Sequence, residues 1–255
     1  MIHSFKDLGT FSVRAEDAAE GKVDDIYFDD AEWTVRYLVV DVGWWSFGHE
    51  GLIARDLLGR PDTAQREFPV HLTAEEIRGA KEPIADPPVS KQEKLNRAAS
   101  PKAPPLYLLG PVGMRYSPLL AERQIRELER ERTAEPATAL GEGGDPHLRS
   151  MSETVGRTIE AQDGPIGTVK DFLINPLDWS VRWFVIDTGD WLPGPTSVLA
   201  TEWIREIAPD GGPVRVDTTR HKIETAPSVD DVASLRRSDE ERLFGHYGGR
   251  AYWAA

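Results

Sequence analysis

One motif is written twice in this chain of 255 residues, and the two copies lie 146 residues apart without a gap. Each copy reads Gly-x-Val-x-Asp, then a spacer, then Trp-x-Val-Arg-x-x-Val-x-Asp-x-Gly-x-Trp. Further matches at the same offset extend over 15–77 and 161–223. Two copies of one structural unit of about 70 residues are therefore expected. The repeated motif residues are Gly21, Asp25, Trp33, Arg36, Asp41 and Gly43 in the first copy and Gly167, Asp171, Trp179, Arg182, Asp187 and Gly189 in the second.

The residue pattern inside each unit is typical of β-strands. From Trp33 to Val39, aromatic and β-branched residues alternate with others, and the second copy does the same from Trp179 to Val185. Polar breaks before these segments predict hairpin turns to a preceding strand. Short strands at close spacing favour a small closed barrel, because closure removes exposed sheet edges. The predicted fold class is mainly β, with two small β-barrels, a short helical linker and a short C-terminal helix.

The regions outside the units differ from them in composition. Eight prolines between 83 and 118 argue against a packed domain there. Ser117-Pro118 and the charge pairs that follow predict a helix over about 118–132, which either connects the units in solvent or packs on a second chain. The predicted boundaries are 1–90 for repeat 1, 91–150 for the Pro-rich linker, 151–230 for repeat 2 and 231–255 for a helix and aromatic tail.

Capping signals predict two further short helices. Thr73-Ala-Glu-Glu76 has the spacing of a capping box and indicates one helical turn that closes the first unit. Ser238 to Glu241 has the same spacing near the C-terminus and precedes an aromatic cluster. Because unburied termini are usually polar, this aromatic end is expected to fold back onto a unit or into a neighbouring subunit.

Charge and composition exclude several classes of protein. The chain has 30 basic and 43 acidic residues, a net charge of −13, which repels phosphate backbones and disfavours nucleic acid as a partner. Without any Cys it has no disulfides and no thiolate metal ligands. Neither a signal peptide nor a membrane-spanning apolar run is recognised, so we expect a cytoplasmic protein without membrane insertion, for which peripheral docking stays open.

Patterns that indicate catalysis are missing from the sequence. The six histidines show no metal-ligand spacing, and no Gly-rich phosphate loop or nucleophile elbow is recognised. We therefore predict no catalytic, cofactor-binding or metal-binding residue. The repeated aspartates could be paired carboxylates for acid–base chemistry. A structural role is favoured, because Asp41 and Asp187 precede turn glycines, and because Arg36 and Arg182 can pair with a carboxylate on a neighbouring strand, such as Asp25 or Asp171.

Aromatic residues in loops and at the C-terminus are the candidates for partner contact. One group follows the long strand of the first unit, and its counterpart follows that strand in the second. Trp33 and Trp179, in contrast, are expected to pack in the core or against the turn. The candidate contact residues are Trp44, Trp45, Phe47, Trp191, Leu192, Tyr247, Tyr252 and Trp253.

The repeated motif resembles the PRC-barrel family, and both copies match it. The flanks Phe68-Pro-Val70-His-Leu-Thr73 and Pro88-Val-Ser90, and the stretch from His246 to Trp253, resemble the ends of bacterial members. The resemblance implies a small barrel like the cytoplasmic domain of the photosynthetic reaction-centre H subunit and the C-terminal domain of the ribosome-maturation factor RimM. Those relatives hold other macromolecules and do not catalyse. It predicts a non-catalytic adaptor or scaffold that binds a protein partner, such as a membrane-associated complex, or that self-associates as a homodimer. A ribosome-maturation or RNA-associated role is the alternative.

Overall fold

The computed structural model describes residues 2–43, 50–92, 144–189, 197–227, 229 and 235–249. Short strands dominate, as the sequence pattern predicts, and the helices have five residues or fewer except the last. The strands are β1 (His3–Ser4), β2 (Ser12–Arg14), β3 (Ala19–Asp29), β4 (Thr34–Asp41), β5 (Glu50–Ala54), β6 (Glu67–Pro69), β7 (Leu148–Ser150), β8 (Thr158–Ala161), β9 (Gly164–Asn175), β10 (Ser180–Asp187), β11 (Ser197–Ala200), β12 (Ile204–Ile207) and β13 (Val214–Val216). The helices are α1 (Phe5–Leu8), α2 (Ala74–Arg78), α3 (Met151–Thr154), α4 (Arg220–Glu224) and α5 (Arg237–Tyr247).

Each repeat is built around one long antiparallel hairpin, β3–β4 in the first and β9–β10 in the second. Both hairpins carry β-bulges at equivalent positions. Arg36 is the extra residue between the pairs Phe28–Val35 and Tyr27–Tyr37. A bulge shifts the following side chains to the other face of the sheet. The strict alternation of side chains between the two faces that was expected along β4 is therefore wrong after Arg36. Leu38, which strict alternation places on the face opposite to Val35, lies fully buried in the core.

The two repeats join through the first residues of β4 and β10. Thr34 pairs with Ser180, and the flanking backbone bonds are reciprocal. The N–H of Val35 donates to the carbonyl of Trp179 at 2.8 Å, and the N–H of Val181 donates to the carbonyl of Trp33 at 2.7 Å. Because these partners are equivalent in the repeat, the junction has local two-fold pseudo-symmetry.

The repeats also exchange their N-terminal segments. Strand β1 pairs with β9 of the second repeat, and β7, its equivalent 146 residues later, pairs with β3 of the first. The short helices that follow, α1 and α3, pack on the same strands, β9 and β3 respectively. Each repeat is therefore completed by a segment that belongs, by sequence, to the other one.

The strands form one large mixed sheet that is not closed. Its order is β12-β13-β8-β9-β10-β4-β3-β2-β6, with β1, β5, β7 and β11 paired beside this path. Most pairs are antiparallel, whereas β6 pairs parallel to β2, and β13 parallel to β8. The fold is mainly β, as the sequence predicts. Two tandem closed barrels are not confirmed.

One hydrophobic core extends through both repeats. At its centre Phe172 contacts Phe184, Phe28 and Phe5, with ring centroids 4.6, 5.6 and 6.2 Å away. Phe172, Phe184 and Phe28 are fully buried. Because these rings come from both repeats, neither repeat keeps its core covered without the other.

The two described ends of the linker region meet on the surface of the first repeat. The side-chain amide of Gln92 donates to the carbonyl of Asp145 at 2.9 Å, and Gly144 lies against the same side chain. The chain therefore leaves and returns at one place, so the length of 93–143 is not needed to connect the repeats. The helix predicted over 118–132 lies outside the described residues. In the described part of the chain, no helix combines the length and apolar character that a membrane crossing requires.

The capping box predicted at Thr73 is present, whereas the cap predicted at Ser238 lies elsewhere. Helix α2 begins after Thr73 with the predicted capping box, in which Glu76 accepts from the backbone N–H of Thr73 at 2.8 Å. The N-cap of helix α5 is Arg236, two residues before the predicted N-cap Ser238, which lies inside the helix. Asp239 accepts from the backbone N–H of Arg236 at 3.1 Å, so its carboxylate caps the helix.

Candidate functional site: the repeated motif and the ends of its strands

The motif glycines allow two strands to approach closely. Gly21 has φ +74° and Gly167 has φ +152°, a conformation that favours glycine. A Cβ atom on Gly21 would overlap the carbonyl oxygen of Asp41, and one on Gly167 would overlap that of Asp187. The same contact therefore recurs in both repeats, and the glycines serve the fold.

The aspartates at the ends of β4 and β10 stabilise the turns that follow. Asp41 accepts from the backbone N–H of Gly43 at 2.8 Å, and Asp187 accepts from that of Gly189 at 3.0 Å. Gly189 adopts φ +61°. The predicted structural use of these carboxylates is confirmed, because each is engaged by the turn that the sequence pattern indicated.

The other pair of motif aspartates receives the exchanged segments. Asp25 accepts from the hydroxyls of Ser150 and Ser152 at 2.5 and 2.7 Å and from the backbone N–H of Ser152 at 3.0 Å. At the equivalent place Asp171 accepts from the hydroxyl of Ser4 at 2.5 Å and from the backbone N–H of Lys6 at 3.1 Å. Each aspartate thus fastens the segment that comes from the other repeat.

The serines of these contacts were missed in the sequence. Ser4 and Ser150 are themselves 146 residues apart, which is a signal that extending the repeat towards its N-terminus would have found. The exchange itself cannot be recognised in the sequence. The contact joins the same serine and aspartate positions whether the segment packs on its own repeat or on the other one.

Burial distinguishes the two aspartates. Asp25 is only 6% exposed, and this burial raises the pKa of its carboxyl although the serine hydroxyls and backbone N–H groups oppose the shift. A carboxyl whose pKa is raised in the folded state binds its proton more tightly there than in the unfolded state. This tighter proton binding stabilises the folded protein fully at pH values below the pKa that Asp25 has in the unfolded state. The stabilisation is lost as pH rises through the pKa that Asp25 has in the folded state.

We expect Asp25→Ala to lower the free energy of unfolding by about 2–4 kcal/mol at neutral pH, because it leaves buried hydroxyl and N–H donors without an acceptor. Asp25→Asn keeps one acceptor oxygen and should cost less. The stability of the unmodified protein relative to Asp25→Asn should fall as pH rises above the ordinary aspartate range. Urea unfolding of both proteins at acidic and neutral pH measures this, with Asp171→Asn as the matched control. A constant difference across pH would contradict it.

The predicted pairing of Arg36 with a carboxylate on a neighbouring strand is confirmed, although the partner is not Asp25. Arg36 lies 3.6 Å from Asp29, the last residue of β3, and 3.7 Å from Asp145. For Arg182 the prediction is wrong, because it pairs at 2.6 Å with Asp178 in the hairpin turn and not with Asp171. Both arginines occupy bulge positions.

The motif tryptophans lie at the junction of the repeats, in agreement with the core or turn role predicted for them. Trp33 and Trp179 have φ +54° and +58°, unusual for residues other than glycine. The ring of Trp33 lies 5.9 Å from that of Phe28, and the ring of Trp179 stacks on Phe68 at 5.4 Å. Packing against these rings holds the strained turn residues in place.

The strands that carry the candidate contact loops diverge from the junction. Because β4 and β10 are antiparallel and share only their first residues, they run in opposite directions towards Asp41 and Asp187. The last residues of the two strands, Asp41 and Asp187, therefore lie on opposite sides of the Thr34–Ser180 pair. Of the candidate contact residues, Trp44, Trp45, Phe47, Trp191, Leu192, Tyr252 and Trp253 lie outside the described residues.

Tyr247 is the exception, and its prediction as a partner contact needs correction. The residue is 1% exposed and packs against Trp203 within its own chain. Helix α5 covers the second repeat, where Phe244 meets Trp183 edge-on at 5.0 Å and Glu240 accepts from the indole N–H of Trp183 at 3.3 Å. The aromatic end folds back onto a repeat as far as it is described, because its apolar rings are stabilised by burial there.

Within the described residues no three His, Cys, Asp or Glu side chains are grouped so that they could hold a metal ion. Comparison of the sequence with models of known protein families gives no match, and comparison with curated proteins gives none either. The geometry of the chain itself therefore carries the functional argument.

Proposed function

We propose that this chain is a non-catalytic scaffold of two PRC-type barrels that binds a protein partner through the loops 44–49 and 190–196. The observation that supports the proposal is that β4 and β10 pair antiparallel at their first residues and run from there in opposite directions, towards Asp41 and Asp187. Exposed aromatic residues in loops are frequent anchors of protein interfaces. A rigid body with one such loop at each end can hold two surfaces apart at a set distance.

The use of the repeated carboxylates supports this class of function. Asp41 and Asp187 are bonded to turn N–H groups, and Asp25 and Asp171 hold the exchanged segments. The residues that recur in both repeats thus maintain the fold. General acid–base catalysis needs a group free to exchange its proton with a substrate, which these positions do not favour.

The two loops differ in chemistry, which supports a division of recognition between them. The first contains Trp44-Trp45-Ser46-Phe47, and the second contains Asp190-Trp191-Leu192-Pro193 at the equivalent place. Loops of different composition bind different surfaces. The two surfaces belong either to one membrane-associated complex or to a complex and a second copy of this chain.

The test is affinity capture of the full-length protein from its native host, together with a mass measurement of the purified protein. Trp44→Ala with Trp45→Ala is expected to remove one set of bound proteins, and Trp191→Ala with Leu192→Ala another. A third variant, in which a short Gly-Ser link replaces 93–143, should keep the thermal stability because Gln92 and Gly144 already meet. It reports whether that segment contributes to binding.

Leu177→Ala is the matched control, because this apolar side chain is 63% exposed and belongs to the β9–β10 turn rather than to either loop. It should leave the bound proteins unchanged. If both loop variants retain every captured protein and the same mass as the unmodified chain, the scaffold proposal is wrong.

A further inference from the structure

A cleft of about 610 Å³ lies at one side of the second repeat. Its walls come from the segment before β8, from β8 itself and from the loop between β12 and β13. Pockets of this volume are typical of small-ligand sites. The lining residues that carry the argument are Val155, Arg157, Thr158, Glu160, Pro165 and Gly212.

Arg157 gives the cleft a positive charge that no carboxylate neutralises at close range. Its guanidinium donates to the carbonyl of Glu153 at 2.9 Å through Nε and to the carbonyl of Ala208 at 2.6 Å through Nη1. In the part of the chain that the structure describes, no carboxylate lies within 4.0 Å of it. The two carbonyls fix the orientation of the group, and its remaining donors, on Nη2, stay available.

The partial burial of the Arg157 side chain also bears on what the cleft can bind. Desolvation lowers the pKa of Arg157, yet guanidinium groups remain charged at neutral pH. Glu153 and Asp210 act on this charge from beyond ion-pair distance and oppose the effect of desolvation on the pKa. Because no carboxylate pairs with Arg157 directly within the described residues, a bound carboxylate can form a charge-assisted hydrogen bond with its guanidinium.

The first repeat shows why the cleft is open. There the equivalent place is filled by Arg66, whose guanidinium lies 5.5 Å from the ring of Phe11 and donates to the hydroxyl of Thr10. At the positions 146 residues later the second repeat has Gly212, Arg157 and Gly156. In the second repeat Gly212 thus stands at the position of Arg66, and Arg157 stands at the position of Phe11.

The remaining walls favour one kind of anion. Glu160 and Asp210 lie beside the cleft, and their negative charges oppose a dianion such as phosphate more than a monoanion. Val155, Pro165 and Pro213 supply apolar surface. Thr158, an exposed residue at the start of β8, also lines the cleft and carries a hydroxyl.

We propose that this cleft binds a carboxylate carried on a small apolar body, with Arg157 as its charged partner. The carboxylate is either the C-terminus of a peptide or that of a small organic acid, and both present the same planar monoanion to the guanidinium. The site is separate from the loops 44–49 and 190–196. Its failure would leave the scaffold proposal untouched.

The experiment titrates the full-length, ¹⁵N-labelled protein and follows the amide signals of Gly156, Gly211 and Gly212. The probes are hexanoate against hexanamide, and a short apolar peptide with a free against an amidated C-terminus. Inorganic phosphate is the third arm. We expect saturable shifts with hexanoate, with the free peptide or with both, and none with the neutral analogues. Shifts with only one of the two carboxylates identify the source of the ligand.

Arg157→Gln should weaken carboxylate binding by about tenfold or more, as expected for loss of a charge-assisted hydrogen bond. Arg14→Gln, the same change at an exposed arginine of the first repeat, is the control and should bind normally. Thr158→Trp fills the cleft without touching the bonds of Arg157 and should abolish binding even if Arg157→Gln is unstable. Three results would overturn the proposal: no saturable shift with either carboxylate, unchanged binding by both variants, or phosphate binding more tightly than hexanoate.

Discussion

Replacing Phe172 by alanine is expected to lower the free energy of unfolding by about 3–5 kcal/mol. The ring is fully buried where the repeats meet, and it contacts rings from both of them. The cavity left by the change would therefore border both repeats. We also expect the unmodified protein and the variant to unfold in one transition, because neither repeat has a separate core. Differential scanning calorimetry and urea unfolding measure both quantities.

A matched change at Leu177 separates the effect of burial from that of losing apolar volume. Leu177→Ala removes an exposed side chain and should alter stability by less than about 0.5 kcal/mol. Two resolved transitions in the unmodified protein, or a loss at Phe172 no larger than the loss at Leu177, would show that the repeats fold independently.

Gly21→Ala and Gly167→Ala should each destabilise the protein by about 3 kcal/mol or more. Both changes combine an unfavourable backbone conformation with a Cβ atom that overlaps a backbone carbonyl, which cannot rotate away as a flexible side chain can. Since Gly21 and Gly167 are equivalent, the two variants should behave alike. Thermal unfolding followed by circular dichroism is sufficient to measure the change.

Gly189→Ala is the control for this pair. Gly189 also has positive φ, but none of the described residues has an atom within 4 Å of the place where its Cβ would be. Its substitution should cost only about 1 kcal/mol, the conformational part of the penalty. Equal losses at Gly189 and Gly167 would mean that the close approach to Asp187 does not constrain the fold.

The local elements were predictable because their causes are local. Alternating apolar residues and the polar breaks between them marked the β3–β4 and β9–β10 hairpins. The glycines after Asp41 and Asp187 marked the turns that follow β4 and β10. The capping box at Thr73 was read correctly for the same reason. Each of these signals needs only residues within a few positions of one another.

The bulges at Arg36 and Arg182 were not predictable from the strand pattern. A bulge depends on how many residues the partner strand supplies over the same length, and that is a property of the pair. The strand pattern likewise did not show that the arginines pair with Asp29 and Asp178 rather than with Asp25 and Asp171. The cleft beside Arg157 was missed for a similar reason, since it depends on which side chain from a distant loop fills the space.

The sequence by itself determined the duplication, the strands and turns of each repeat, and the residues on which those turns depend. Such features follow from periodicity and from backbone preferences that act within a short stretch of chain. Only the tertiary structure decided that the repeats share a core, that they exchange the segments held by Asp25 and Asp171, and that β4 and β10 run in opposite directions from their shared pair. Two copies of one unit bury their apolar faces equally well in several arrangements. The choice among them rests on packing between residues far apart in the chain, to which a local pattern is insensitive.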